Sequence, residues 1–201
     1  AGLAASGEYI ETRLRELGLR PLGDAGGYRG SFEVTTRLER GPETQLKIAD
    51  VSIAADQYAA LGYSAEAKLS GDAVLAGYAM ADAQLGLDDF KGRDVKGKIV
   101  IARRFAPEHP ALGTPAEQRR AGDLRKKAFQ ARAHGARALI VVDQPAAGSG
   151  AAPAAAAPTL PPEAALPELH PEGTGDAGIP VNVVKRAAAA SVWPPLERGQ
   201  S

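Results

Sequence analysis

The stretch DVKGKIVIARR, Asp94 to Arg104, decides the fold. A polar turn with Gly97 between two lysines runs straight into Ile99, Val100 and Ile101, a β-branched run with no polar alternation. Alternation marks a strand with one wet face, so its absence predicts a strand covered on both faces in the interior of a sheet. Two further runs share this character: ALIVV, Ala138 to Val142, and IPVNVV, Ile179 to Val184.

Between the first and second runs lies a helix with marked ends. Thr114, Pro115 and Glu117 fit the N-cap, N1 and N3 positions of a capping box, and Gly135 stands where a left-handed stop belongs. This predicts one helix of about five turns. Leu124, Ala128 and Ala131 give it a narrow small-residue stripe, while Arg119, Arg120, Arg125, Lys126, Lys127 and Arg132 are assigned to the solvated remainder. Strand, helix, strand in this order implies a right-handed crossover, with KIVIA and ALIVV parallel and adjacent.

Upstream, Ser6 precedes GEYIETRLRELGL, where Ile10, Leu14 and Leu17 fall at i, i+4 and i+7 and Gly18 supplies a stop; a short amphipathic helix is expected. Phe32, Val34, Thr36 and Leu38 alternate with Ser31, Glu33, Thr35 and Arg37, the period of a half-buried strand. In QLKIADVSIAAD the apolar parity changes between Ile48 and Val51, which predicts a bulge or bend near Ala49 and Asp50. Ala73 to Tyr78 reads as another strand. Residues 143–178 are rich in Ala, Pro and Gly and are expected to form a long flexible surface loop. VKRAAAASVW forms a final short helix before Pro194 and Pro195. The fold class is α+β: a bent β core with a central parallel β-α-β unit and flanking helices.

Composition excludes several functions. Lys plus Arg equals Asp plus Glu at 24 each, so no net field gathers nucleic acid or anionic lipid. The absence of cysteine removes thiol nucleophiles, disulfides and cysteine metal sites together. No run of about 18 apolar residues occurs, and the start AGLAASGEYI lacks the basic and apolar regions of a signal peptide. Opening within a helix signature, the sequence reads as an excised piece or a mature product.

Catalytic signatures fail their context tests. His109, His134 and His170 are each isolated, with no second histidine at helical spacing, and His134 suits a helix C-terminus electrostatically. Asp88 and Asp89, with Asp82 and Asp94, are the most metal-like group, and a loop calcium site there is left open; adjacent carboxylates on a turn more often accept from local amides. No GxSxG elbow is present. GSG at Gly148 to Gly150 lies in the Ala/Pro loop, and GDAGGY at Gly23 to Tyr28 lacks the strand and helix of a dinucleotide site. No catalytic, cofactor-binding or metal-ligating residue is assigned.

Four segments in order, LAGYAM (Leu75 to Met80), DDFKGRDVKGKIVIARR (Asp88 to Arg104), KAFQARAHGARALIVVDQP (Lys127 to Pro145) and GIPVNVVKRAAA (Gly178 to Ala189), resemble the protease-associated (PA) domain. The likeness is to that domain as inserted in secreted di-zinc aminopeptidases of the aminopeptidase Y and glutamate carboxypeptidase superfamily. Ala79 departs from it, standing where such peptidases commonly carry a second glycine after the tyrosine. The lead-in SGEYIETRLRELGLRPLGDAGGYRGSFEV is similar to the helix and strand that open the peptidase domain before the insertion.

The resemblance implies three parts: 1–35 as peptidase lead-in, 36–190 as the PA domain, and 191–201 as a tail. It implies a non-catalytic lid or substrate-access module, partnered by a parent catalytic domain that holds the zinc, with peptide or protein substrates and an extracytoplasmic location. The family's zinc ligands follow the PA domain in sequence, so none is carried onto a residue of this chain. The alternatives are a free-standing peptide- or protein-binding module and a small hydrolase using Asp88, Asp89 or a histidine. Ile10, Leu14 and Leu17, without the parent surface, are expected to mediate self-association.

Overall fold

The structure, a computed structural model, describes residues 2–144, 162–171, 175–190 and 193–194. Much of the expected loop 143–178, including the GSG motif, and most of the expected tail 191–201 lie outside the described residues. Among the described residues four helices, α1 (Gly2–Glu16), α2 (Pro115–Ala121), α3 (Leu124–Ala133) and α4 (Arg186–Ala189), accompany nine strands. The strands are β1 (Leu46–Ile48), β2 (Val51–Ile53), β3 (Tyr58–Ala60), β4 (Ala73–Leu75), β5 (Ala81–Asp82), β6 (Leu87–Asp88), β7 (Ile99–Arg103), β8 (Ala138–Val142) and β9 (Val181–Val184). The chain divides into two compact units, Ala1–Thr36 and Arg37–Ser201.

In the second unit a five-stranded sheet runs in the order β3-β9-β8-β7-β4. The three pairings among β4, β7, β8 and β9 are parallel, and β3 joins β9 antiparallel. The β7 and β8 runs are parallel neighbours, as the strand, helix, strand order implies, with Val100 opposite Leu139 and Ala102 opposite Val141. All five side chains of β8 are buried. Successive residues enter different cores. Val100, Ala102, Leu139, Val141, Val181 and Val183 face α3, meeting Ala128 and Ala131. Ile101, Ile140, Val142 and Val184 face the opposite layer, where Ile48, Ile53, Ala189 and Trp193 cover them. Two apolar faces are the reason for the unalternated β-branched composition.

The single long helix expected between Thr114 and Gly135 is two. The capping box forms, Thr114 Oγ1 accepting from Glu117 N–H at 3.2 Å and Glu117 Oε2 accepting from Thr114 N–H at 2.9 Å. Gly122 then ends α2. A Cβ there would lie 2.9 Å from the Phe105 backbone, so only a glycine lets the chains approach this closely. Asp123 restarts the helix as N-cap of α3, its Oδ1 accepting from Lys126 N–H at 2.7 Å. Gly135, at φ +88°, follows the end of α3.

Other boundaries also differ. Of the bulge or bend expected at Ala49 and Asp50 the structure has the bend, the tip of a hairpin with Ile48 opposite Val51 and Ala49 at φ +51°. The strand expected from Ala73 stops at Leu75 rather than Tyr78, because the chain turns left-handed at Gly77, φ +45°. The alternating stretch from Ser31 to Leu38 forms no strand among the described residues, and Phe32 is 84% exposed. Within the first unit α1 begins at Gly2, well before Ser6, and buries no residue; Gly18 turns the chain at φ +67°. Ile10 is 56% and Leu17 68% exposed, and Leu14 is half-buried.

Leu139 is fully buried in the middle of the central strand. Leu139→Ala should therefore lower stability by about 3 kcal/mol, read as a fall in the urea midpoint at unchanged slope.

Candidate functional site

At the carboxyl ends of parallel strands, where open α/β sheets place their ligands, the chain leaving β4 forms a tight loop from Ala76 to Ala81. Two of its residues are left-handed, Gly77 at φ +45° and Ala79 at φ +52°. A Cβ on Gly77 would meet Asp89 Oδ1 at 2.1 Å, which requires glycine there. Asp89 explains the loop's shape: its Oδ2 accepts from Tyr78 N–H at 2.9 Å and from Met80 N–H at 3.1 Å. The Asp89 N–H in turn donates to Met80 O at 2.8 Å.

Two side chains of α3 complete the clamp. Gln130 forks onto Ala81, accepting from its N–H at 3.1 Å and donating to its carbonyl at 2.8 Å. Lys127 donates through Nζ to the Tyr78 carbonyl and is fully buried. This corrects its assignment to the solvated face. Lys127 lies three residues after Leu124 and four before Ala131, so it shares their stripe. Burial pulls its ammonium down from the usual lysine range to about 7, opposed by the Asp89 and Asp123 carboxylates and reinforced by neighbouring Lys126.

A poised amine of this kind would suit base or imine chemistry if a substrate could reach it. Here the amine is sealed from solvent, and its partner is a backbone carbonyl, so the arrangement fixes a loop. Above the loop the Tyr78 ring is approached by two cations, Arg103 with Cζ 5.9 Å and Lys127 with Nζ 5.5 Å from its centroid. Arg103 also lies over Trp193, at 5.3 Å.

The neighbouring strand ends hold a strap. Asp143, just past β8, accepts from Ala164 N–H at 2.7 Å, and Arg104 donates to Ala165 O at 2.8 Å. Arg186 donates through Nε to Asp143 O at 2.7 Å and through its backbone N–H to Glu163. Leu166 packs against the core. This part of the expected flexible loop is thus bound to the sheet.

The residues singled out from sequence do not converge. Asp88 Oδ1 accepts from Phe90 and Lys91 N–H at 3.0 and 3.1 Å, whereas Asp89 serves the Tyr78 loop. Asp82 accepts from Gln84 N–H at 3.1 Å and pairs with Lys126 at 3.5 Å; Asp94 pairs with Lys98 at 3.3 Å. His109 caps a one-turn 3-10 helix by accepting from Ala111 N–H at 3.1 Å. His134 stacks on Phe90 with ring centroids 4.1 Å apart and bonds Gln130 O at 2.8 Å; His170 bonds Glu168 O at 3.0 Å. Among the described residues no group of three or more His, Asp or Glu side chains stands close enough to hold a metal ion. No described helix is long and apolar enough to cross a membrane.

Two tests address the clamp. The Lys127 pKa is lowered on folding, so the unfolded chain binds more protons between about pH 7 and 10.5, and stability rises with pH across that window. Between pH 6 and 9 wild type should gain roughly 2–3 kcal/mol from this group; Lys127→Met should flatten that rise in parallel urea titrations. Ala79 is fully buried at positive φ. Ala79→Val should cost about 2–4 kcal/mol, since a β-branched residue resists this conformation. Ala79→Gly should stay within about 1 kcal/mol of wild type, relief of strain offsetting the lost methyl; thermal melts distinguish the two.

Comparison with known proteins gives one assignment: residues 57–192 match the family described as PA domain. No curated protein matches the chain.

Proposed function

Because the chain belongs to the PA domain family, we propose that it is the non-catalytic protease-associated region of a secreted zinc aminopeptidase. It supplies a wall beside the active site that governs which peptides enter. The observation that carries this reading is the use made of the polar groups in the family-like segments. Asp89, Lys127 and Gln130 all hold the backbone of one loop, and Lys127 is wholly enclosed. Their chemistry goes into holding a fixed backbone, which favours a shaping module over a catalytic one.

The parent catalytic domain supplies the zinc and its ligands, outside the cytoplasm. The exposed residues Ile10 and Leu17, with Leu14, supply an apolar stripe for that domain or, when it is missing, for a second copy of this chain.

The reading predicts that the isolated chain hydrolyses no aminoacyl or peptide substrate, with or without added zinc. Zinc-dependent turnover abolished by Asp89→Ala would overturn it. In the parent enzyme, deleting residues 37–190 should change kcat/KM for tetrapeptides by at least about tenfold more than for a single-residue chromogenic substrate.

A further inference from the structure

The amino ends of the parallel strands, at the opposite end of the sheet from the Tyr78 loop, carry an open cleft of about 430 Å³. It is lined by the connection 65–69 ahead of β4, by the turns 136–137 before β8 and 178–180 before β9, and by Arg132 from α3. The surface is open to water: Glu66, Ala67, Lys68, Arg132, Arg137 and Gly178 are all exposed.

The charge of the cleft is unbalanced. Three cations, Lys68, Arg132 and Arg137, stand against one carboxylate, Glu66. Among the described residues the side chains of Lys68, Arg137 and Glu66 form no hydrogen bond or ion pair, so the acid does not neutralise its neighbours by contact. Arg132 is held from two sides. Its Nη1 donates to Ala177 O at 3.0 Å, and its guanidinium carbon lies 5.6 Å from the centroid of the exposed Phe129 ring. Gly178, at φ +73°, makes room for it: a Cβ there would collide with Arg132 Nη1 and stand 2.9 Å from its Cδ. That one hydrogen bond engages one of five guanidinium donors, and the others are open to an anion.

The lining beside the charges is aliphatic, from Ala67, Leu69, Ile179 and Pro180. The backbone of residues 66–68 makes no hydrogen bond among the described residues. A small oxyanion would meet the cations alone. An extended peptide with acidic and aliphatic side chains meets the cations, the aliphatic lining and the unpaired backbone together.

We propose that this cleft docks an extended acidic segment of a partner protein, with its carboxylates on Lys68, Arg132 and Arg137 and its aliphatic side chains on Leu69 and Pro180. Exposed ion pairs contribute little one at a time, so the three cations and the aliphatic lining act jointly and the binding falls with added salt. The proposal goes beyond the reading of the domain as a wall of an active site, because the cleft lies at the end of the sheet away from the Tyr78 loop.

The test is an amide titration of the full 201-residue chain with the end-blocked peptide Ac-EVEVE-NH2. Shift changes are expected at residues 66–69, Arg137 and Ile179, while the amides of the Tyr78 loop stay in place. Lys68→Glu and Arg137→Glu should each weaken binding about fivefold, and together about twentyfold. Arg119→Glu, which alters an exposed cation of α2 outside the cleft, should leave it unchanged. On wild type, Ac-EGEGE-NH2 should bind about fivefold more weakly for want of the valines, and Ac-KVKVK-NH2 should not bind; these peptides carry the test should a variant fail to fold. Absence of shifts at residues 66–69 up to the solubility limit of the peptide would overturn the proposal, as would binding indifferent to both charge reversals. Equal binding of Ac-EGEGE-NH2 or of inorganic sulfate at the same amides would make the cleft a site for any anion and overturn it too. So would concentration-dependent shifts there without peptide, which would assign the cleft to a second copy. The truncation comparison in the parent enzyme is independent of each of these outcomes.

Discussion

The structure depends on a strand with no free face. β8 buries all five side chains, with Leu139 and Val141 in one core and Ile140 and Val142 in the other. A strand so enclosed has no position from which a polar side chain can reach solvent without a buried-polar cost of several kcal/mol. β7 and β9 share the constraint over most of their length. Polar work is therefore displaced to strand ends, to α3 and to the sheet edges. The Tyr78 loop and the Asp143 strap both lie in those places.

The clamp on the Tyr78 loop shows how such a core accommodates charge. Lys127 occupies a position on α3 that its helical phase assigns to the interior, between Leu124 and Ala131. Its aliphatic stem can pack with the alanines there while its head finds the Tyr78 carbonyl. Asp89 is bound to the same loop and favours the charged amine. The carboxylate, the amine and the Gln130 amide together satisfy backbone groups of a loop that carries two left-handed residues. Each serves a different backbone group, so removing one member leaves the group it served without its partner.

Much of this was legible in the sequence because local chemistry and tertiary position agree there. Unalternated Ile99 to Ile101 and Ala138 to Val142 announce interior strands, and Thr114 with Glu117 announces a helix start whose hydrogen bonds form as expected. Where the reading failed, a distant segment overruled a local pattern. The helix breaks at Gly122 because the Phe105 backbone passes within contact, and nothing near Gly122 in sequence encodes that approach. Alternation from Phe32 to Leu38 is a statement about a strand's faces, but a strand also needs a pairing partner, and none stands among the described residues. Lys127 was misassigned for a different reason. Its charge outweighed its phase, although the i+3 and i+4 spacing to the small-residue stripe was already present. Asp89 was singled out for possible ion binding, and its contacts with Tyr78 and Met80 could not be read from a sequence separation of 9 to 11 residues.

The bond between Asp143 and Ala164 brings two points 21 residues apart in sequence into direct contact. Closing a chain segment costs entropy that grows only with the logarithm of its length, about 0.6 kcal/mol for each doubling. Both feet are fastened to the sheet by Asp143, Arg104 and Arg186, so the closure is held at its ends by side chains that belong to the body. By that logarithm, the entropy of bringing Asp143 and Ala164 together is governed far more by these fastenings than by the count of residues they enclose.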